Sequence, residues 1–237
     1  KKQDYEISEE DWNLIRNFKK TEVEKTDLSP EEKTLNETRL LLNKISNKNY
    51  LEISEKIIEK IDCLKDEESY IKISEMIFDY ASLNKILCLV YATLLKTLID
   101  KYETMKNIFH LNFKIFIKQF DNIEYVDANV DYDKFCDLNL VNEKRRSTSL
   151  FLTNLLKNEI LKPDDIIHII FQLQNLLFSN IEKEDFVEQN SEISENIFIL
   201  ITNSNSVLKK HKEWNSIIDN VDLIKKMKAK EKPSLSN

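Results

Sequence analysis

SPEEKTLNETRLLLNKISNKNYLEISEKIIEKIDCL, residues 29–64, opens on its own helix-start signal. Ser29 can accept hydrogen bonds from exposed N–H groups, Pro30 takes the first helical position, and Glu32 can reach back to the cap. The pattern predicts a helix over 30–45. Asn47, Lys48 and Asn49 interrupt it. Tyr50, Ile53, Ile57, Ile61 and Leu64 then recur at helical spacing and place one apolar stripe on a second helix. A break this short predicts that the two helices fold back as a hairpin.

Working outward, residues 1–29 are polar and acidic around Tyr5, Trp12 and Phe18 and read as an extended arm. After the hairpin, Asp66 can cap a third helix with the stripe Tyr70, Ile73, Ile77, Tyr80 and Ala81, and Leu87, Val90, Leu94 and Leu98 mark a fourth. Met105, Phe109, Phe113, Phe116 and Phe120 predict an aromatic fifth helix, followed by an acidic inserted loop over about 121–133. Leu152, Leu155, Leu156 and Ile160 predict the next helix. Pro163 ends it and starts another through Ile166, Ile170, Leu173 and Leu177. Ile193, Ile197 and Leu200, then Val207, Trp214, Ile218, Val221 and Ile224, give the last two. Roughly nine helices in antiparallel pairs of about 35 to 45 residues are the habit of a repeat array. The expected fold is an all-α, HEAT-like α-solenoid occupying residues 30–237.

Composition narrows the function. Glycine is absent and there are only three prolines among 237 residues, so phosphate-cradling glycine loops have no residues to build them. The formal charge of −7 argues against a surface devoted to nucleic-acid phosphates, although a local basic patch remains open. Cys63, Cys88 and Cys136 lack metal-ligand spacing and read as reduced packing residues. The longest apolar run, Ile86 to Ile99, contains Lys96 and is too short for a bilayer span. Asp127, Asn129 and Asp131 look like the opening of a calcium loop, but Tyr132 and Leu138 stand where glycine and a bidentate glutamate are required. His110, His168 and His211 are isolated, so no nucleophile, metal cluster or catalytic dyad can be assembled. A non-enzymatic protein without cofactor or metal is expected. Lysine at position 1 reads as a piece of a longer protein.

Thr38-Arg39-Leu40-Leu41-Leu42-Asn43-Lys44-Ile45-Ser46-Asn47-Lys48-Asn49-Tyr50 resembles the first helix hairpin of the middle domain of eukaryotic translation initiation factor 4G. That family shows an arginine, a leucine pair, Asn-Lys-Leu, then Thr-Pro and an aromatic residue. Ser46 and Asn47 stand in for Thr-Pro. Lys144-Arg145-Arg146-Ser147, before a Phe/Leu-rich helix, is similar to the family's Arg-Arg-Ser run, with Ser149 and Thr153 where the family has glycines. Trp12 falls where the family has an Ala-Trp-Lys-Pro arm.

The resemblance implies about five stacked helix pairs, the last incomplete here, in a cytoplasmic translation-initiation scaffold. Such scaffolds hold and activate a DEAD-box RNA helicase of the initiation factor 4A type, which requires different affinities for the helicase's conformations. It implies helicase contacts at Trp12, Arg39, Leu42, Asn43, Ile45 and Tyr50, with Arg145 and Arg146 in the later helices. It also implies local mRNA contact, for which Lys209, Lys210, Lys212, Lys225, Lys226 and Lys228 are the candidates. No tyrosine is followed by the leucine spacing of a cap-binding-factor motif, so that partner would be reached only through other regions.

Other readings stay open at each position. Leu42, Ile45 and Tyr50 at helical spacing also fit a helix–helix interface, Trp12 could fold back on the array, the lysines are interleaved with acids as on a solvated face, and Arg145 and Arg146 could form ion pairs with neighbouring helices. At the level of the whole chain, the alternatives are a same-fold scaffold in mRNA decay, splicing or poly(A)-linked regulation, and a helical-repeat adaptor with no helicase partner.

Overall fold

The computed structural model describes residues 28–64, 66–105, 118–119, 123–228 and 231–235. Trp12, His110 and most of the predicted fifth helix lie outside them.

The first hairpin forms as its sequence dictates. Helix α1, Pro30–Lys44, starts in a complete capping box, with Ser29 Oγ accepting from the Glu32 N–H at 3.1 Å and Glu32 Oε2 accepting from the Ser29 N–H at 2.8 Å. Helix α2, Tyr50–Asp62, buries Ile53, Ile57 and Ile61. Asn49 builds the turn between them. Its Oδ1 accepts from the Ser46 N–H at 2.7 Å and the Ser46 hydroxyl at 2.8 Å, and its Nδ2 donates at 2.8 Å to the Lys44 carbonyl, one of those that α1 leaves without a helical partner. The chain therefore closes this hairpin without the proline of the resembled family.

Helix α3, Glu67–Leu83, is capped by Asp66, whose two carboxylate oxygens accept from the backbone and hydroxyl of Ser69. A single 3-10 turn, Lys85–Leu87, swings the axis by 117° into α4, Cys88–Lys101. Across the pairs, the Tyr91 hydroxyl donates to the Leu42 carbonyl at 3.3 Å, and Asp62 at the end of α2 accepts from both Lys101 and Tyr102 at 2.7 Å. Cys88 is buried and its thiol reaches the carbonyls of Ala81 and Ser147. Burial pushes that thiol up to about 12, which removes its nucleophilic form. Cys63, by contrast, is exposed and does not pack.

The second half departs from expectation at α5, Tyr132–Lys157, which runs for 26 residues. Asp131 caps it by accepting from the Lys134 N–H at 2.9 Å, so the helix starts inside the predicted acidic loop. Lys144-Arg145-Arg146-Ser147 consequently sits within the helix and not before it. Leu152, Leu155 and Leu156 are in α5, but Ile160 lies in the connection to α6, Pro163–Asn180. Helix α7, Val187–Leu208, takes in Val207, which the sequence assigned to the last helix, and α8 runs from Trp214 to Lys226.

Among the described residues there are eight α-helices and no strand, as the all-α reading expects. Their neighbours alternate. α1 packs on α2 and α3, α3 on α4 and α5, and α5 on α6 and α7, while α2 meets α4 and α6 meets α8. Odd-numbered helices thus form one continuous row and even-numbered helices flank it, the connectivity of a two-layer solenoid. One buried core runs through the array from Leu35 to Ile217. No single helix among the described residues is long and apolar enough to cross a membrane.

Candidate partner-binding surface

The buried side of α1 is set by Leu35, Thr38, Leu42 and Ile45. Everything a partner could touch on this helix must lie off that stripe. Arg39 and Asn43 do so, one turn apart and both exposed, and Arg39 makes no ion pair with any described residue. Leu40, next to Arg39, is 58% exposed, and Leu51 at the start of α2 is 75% exposed. Tyr50 is half-buried, its ring against the core and its hydroxyl 3.0 Å from Thr97 Oγ1 on α4. An exposed arginine near an anchored tyrosine is the pairing of residue types that interface centres favour, and the exposed leucines add apolar area around it.

Leu42 and Ile45 do not belong to that surface. They are 0% and 2% exposed, enclosed by the chain's own helices, because matching residues in a motif says nothing about which way each one faces. Arg145 is removed for a related reason. Its guanidinium is buried, donates to Asn142 Oδ1 and to the Gln119 carbonyl, and lies 3.7 Å from the Glu192 carboxylate of α7. Burial lowers its pKa while Glu192 acts in the opposite direction. Arg146 is partly exposed, but Glu192 Oε2 takes hydrogen bonds from it at 3.0 and 2.6 Å and Glu143 pairs with it at 2.9 Å. Asn196 donates to Glu192 Oε1 at 2.7 Å and accepts from Ser149 at 2.7 Å. The result is a buried polar network that registers α5 against α7. Since α3 packs between α1 and α5, the two predicted arginine sites are also separated along the array.

The candidate RNA lysines are all exposed. They fall into two groups, with Lys209, Lys210 and Lys212 before α8, and Lys225, Lys226 and Lys228 at its far end. Thirteen residues of helix put about 20 Å between the groups, and the acids Asp219 and Asp222 lie between them. The calcium-like residues have local duties: Asp127 accepts from the Asn129 N–H at 2.7 Å, and Asp131 caps α5. His211 rests 3.2 Å from Asp164, and His168 is exposed.

No family model matches this chain, and no curated protein matches its sequence. Among solved structures it is similar to one described as the MIF4G domain of Trypanosoma cruzi translation initiation factor EIF4G5. The two are 14% identical with a TM-score of 0.47, over 81% of this chain and 95% of that one.

Two features, one exposed and one buried, escape sequence reasoning. Leu40 and Leu51 are legible in hindsight as leucines off the buried stripes. Glu192 and Asn196 carried no signal, because the residues they hold are more than forty positions earlier in the chain.

Proposed function

We propose that this chain is a non-enzymatic helical scaffold of translation initiation, acting in the cytoplasm, whose first hairpin binds a DEAD-box RNA helicase of the initiation factor 4A type and raises its activity. What supports the reading is the exposed face of α1, where Arg39, Leu40 and Asn43 stand clear of the core in the segment that resembles the helicase-binding hairpin. Arg146 and Trp12 extend the proposed contact, Arg146 from the part of its guanidinium that Glu192 and Glu143 leave accessible. RNA contact is assigned to the two lysine groups flanking α8, acting separately and weakly.

A helicase of this type immobilised on a sensor tests the assignment. Arg39→Glu combined with Leu40→Ala is expected to weaken binding at least tenfold and to abolish stimulation of the helicase ATPase. Both positions are exposed, so thermal unfolding should stay at the parent value. Parent-like binding by this double variant, or absence of binding by the parent, overturns the proposal.

A further inference from the structure

Helices α6 and α7 differ in charge from the other described helices, since neither holds a lysine or an arginine. In α7, VEQNSEISENIFILITNSNSVL holds three glutamates and neither lysine nor arginine, in a protein with 35 of those cations. Glu192 is engaged by the arginines of α5. Glu195 is exposed and forms no ion pair with any described residue, while Glu188 lies along a different cleft that Arg146 also lines. A groove of about 410 Å³ runs between this helix and residues 234–235, with Ser191, Ser194 and Glu195 along it and Phe198 as a wall. Phe198 is 61% exposed, a large aromatic facing outward. Asn190 lines the same groove, is 2% exposed, and its Oδ1 has no hydrogen-bond partner among the described residues. A buried acceptor left alone calls for a donor.

The chain itself shows what chemistry suits one end of this groove. Ser234 is fully buried: its hydroxyl oxygen accepts from the Phe186 N–H at 3.1 Å and donates to the Lys183 carbonyl, and its own carbonyl accepts from Asn190 Nδ2 at 3.0 Å. Lys232 pairs with Glu182, and Leu235 packs against the core. A turn that carries a lysine and a leucine is thus clasped where α6 passes into α7.

We propose that the α7 groove docks a short basic peptide carrying an apolar residue, and that the 231–235 strap occupies the near end of the same track. A cationic side chain of the ligand pairs with Glu195 and lies over the Phe198 ring, while the apolar residue takes the place that Leu235 holds. The Glu195 carboxylate repels nucleic-acid phosphates from this groove, so a peptide fits it better. The surface is on the last odd-numbered helix and does not depend on what α1 binds.

The test uses a fluorescein-labelled peptide of residues 225–235, KKMKAKEKPSL, titrated into the full chain by anisotropy. Ser234→Asp places a charge in the buried clasp and frees the strap, so it is expected to bind the probe at least tenfold more tightly than the parent. Adding Glu195→Lys or Phe198→Ala to that variant should weaken binding at least tenfold without moving its thermal unfolding, and a probe with glutamate for every lysine should not bind. Equal affinity of parent and Ser234→Asp overturns the shared track. Absence of saturable binding to Ser234→Asp, or binding untouched by both groove substitutions, overturns the site.

Discussion

Glu159 stands at φ 60°, the left-handed conformation in which glycine is the usual residue. The chain contains no glycine, so a side-chain-bearing residue closes α5. The hydrogen bonds identify the closure: the Ile160 N–H reaches the Leu155 carbonyl and the Glu159 N–H the Leu156 carbonyl, each at 3.0 Å, the paired arrangement of a Schellman end. Holding an L-residue there costs about 1–2 kcal/mol. Glu159→Gly should therefore stabilise the protein by about 1 kcal/mol, part of the relief being offset by the freedom glycine gains on unfolding. In a chain of this length the melting midpoint should rise by about 2–4 °C in circular dichroism. A β-branched residue at the same position, Glu159→Val, should move it the other way. A midpoint indifferent to both would mean that the backbone at 159 is not strained.

Among the elements, the hairpin and the α5–α7 seam are held by different means. Asn49→Ala removes the three side-chain hydrogen bonds of the first turn and is expected to cost roughly 1–3 kcal/mol in urea unfolding. Glu192→Ala leaves the buried Arg145 without its carboxylate and should cost about 3–5 kcal/mol. Replacing both partners with apolar residues of similar volume should recover much of that loss. These two sites also show what a sequence can and cannot disclose. Helices α1 to α4 were legible because their caps and stripes are local: Ser29, Asp66 and the isoleucines of α2 need no distant partner to be read. The first half of α5 was not, because residues 132–143 lie largely exposed and carry no one-sided apolar stripe, and the capping Asp131 is hidden in an acidic run. The resemblance located the α1 hairpin but could not separate Arg39, which faces outward, from Leu42, which faces inward. The roles of Arg145 and Arg146 depend on Glu192, which only the folded chain brings near.

For the molecule as a whole, pH should act through carboxylates that pin one helix to another or fix a helix start. Hydrogen bonds from Lys101 and then Tyr102 hold Asp62 below its ordinary value of 3.8, and the Ser69 hydrogen bonds do the same for Asp66. Both groups bind protons more readily in the unfolded chain. Their stabilisation is complete above the ordinary carboxylate range and is lost as the pH falls through their lower folded values. The urea midpoint should therefore hold steady from about pH 7 to about pH 5 and decline below about pH 4, and Asp62→Asn should make that decline shallower. An unchanged slope in Asp62→Asn would exclude that residue from the effect. The array's tolerance of change is uneven as well. Ser147 to Ser149 and Phe151 to Leu156 are all buried, so the later part of α5 has almost no side that faces water. One inserted residue there would turn everything beyond it by about 100° and present each side chain to the wrong neighbour. Over generations such a chain can gain or lose length in its connections and at its outer repeats, while its middle helix keeps its residue count as a fixed point around which the rest is edited.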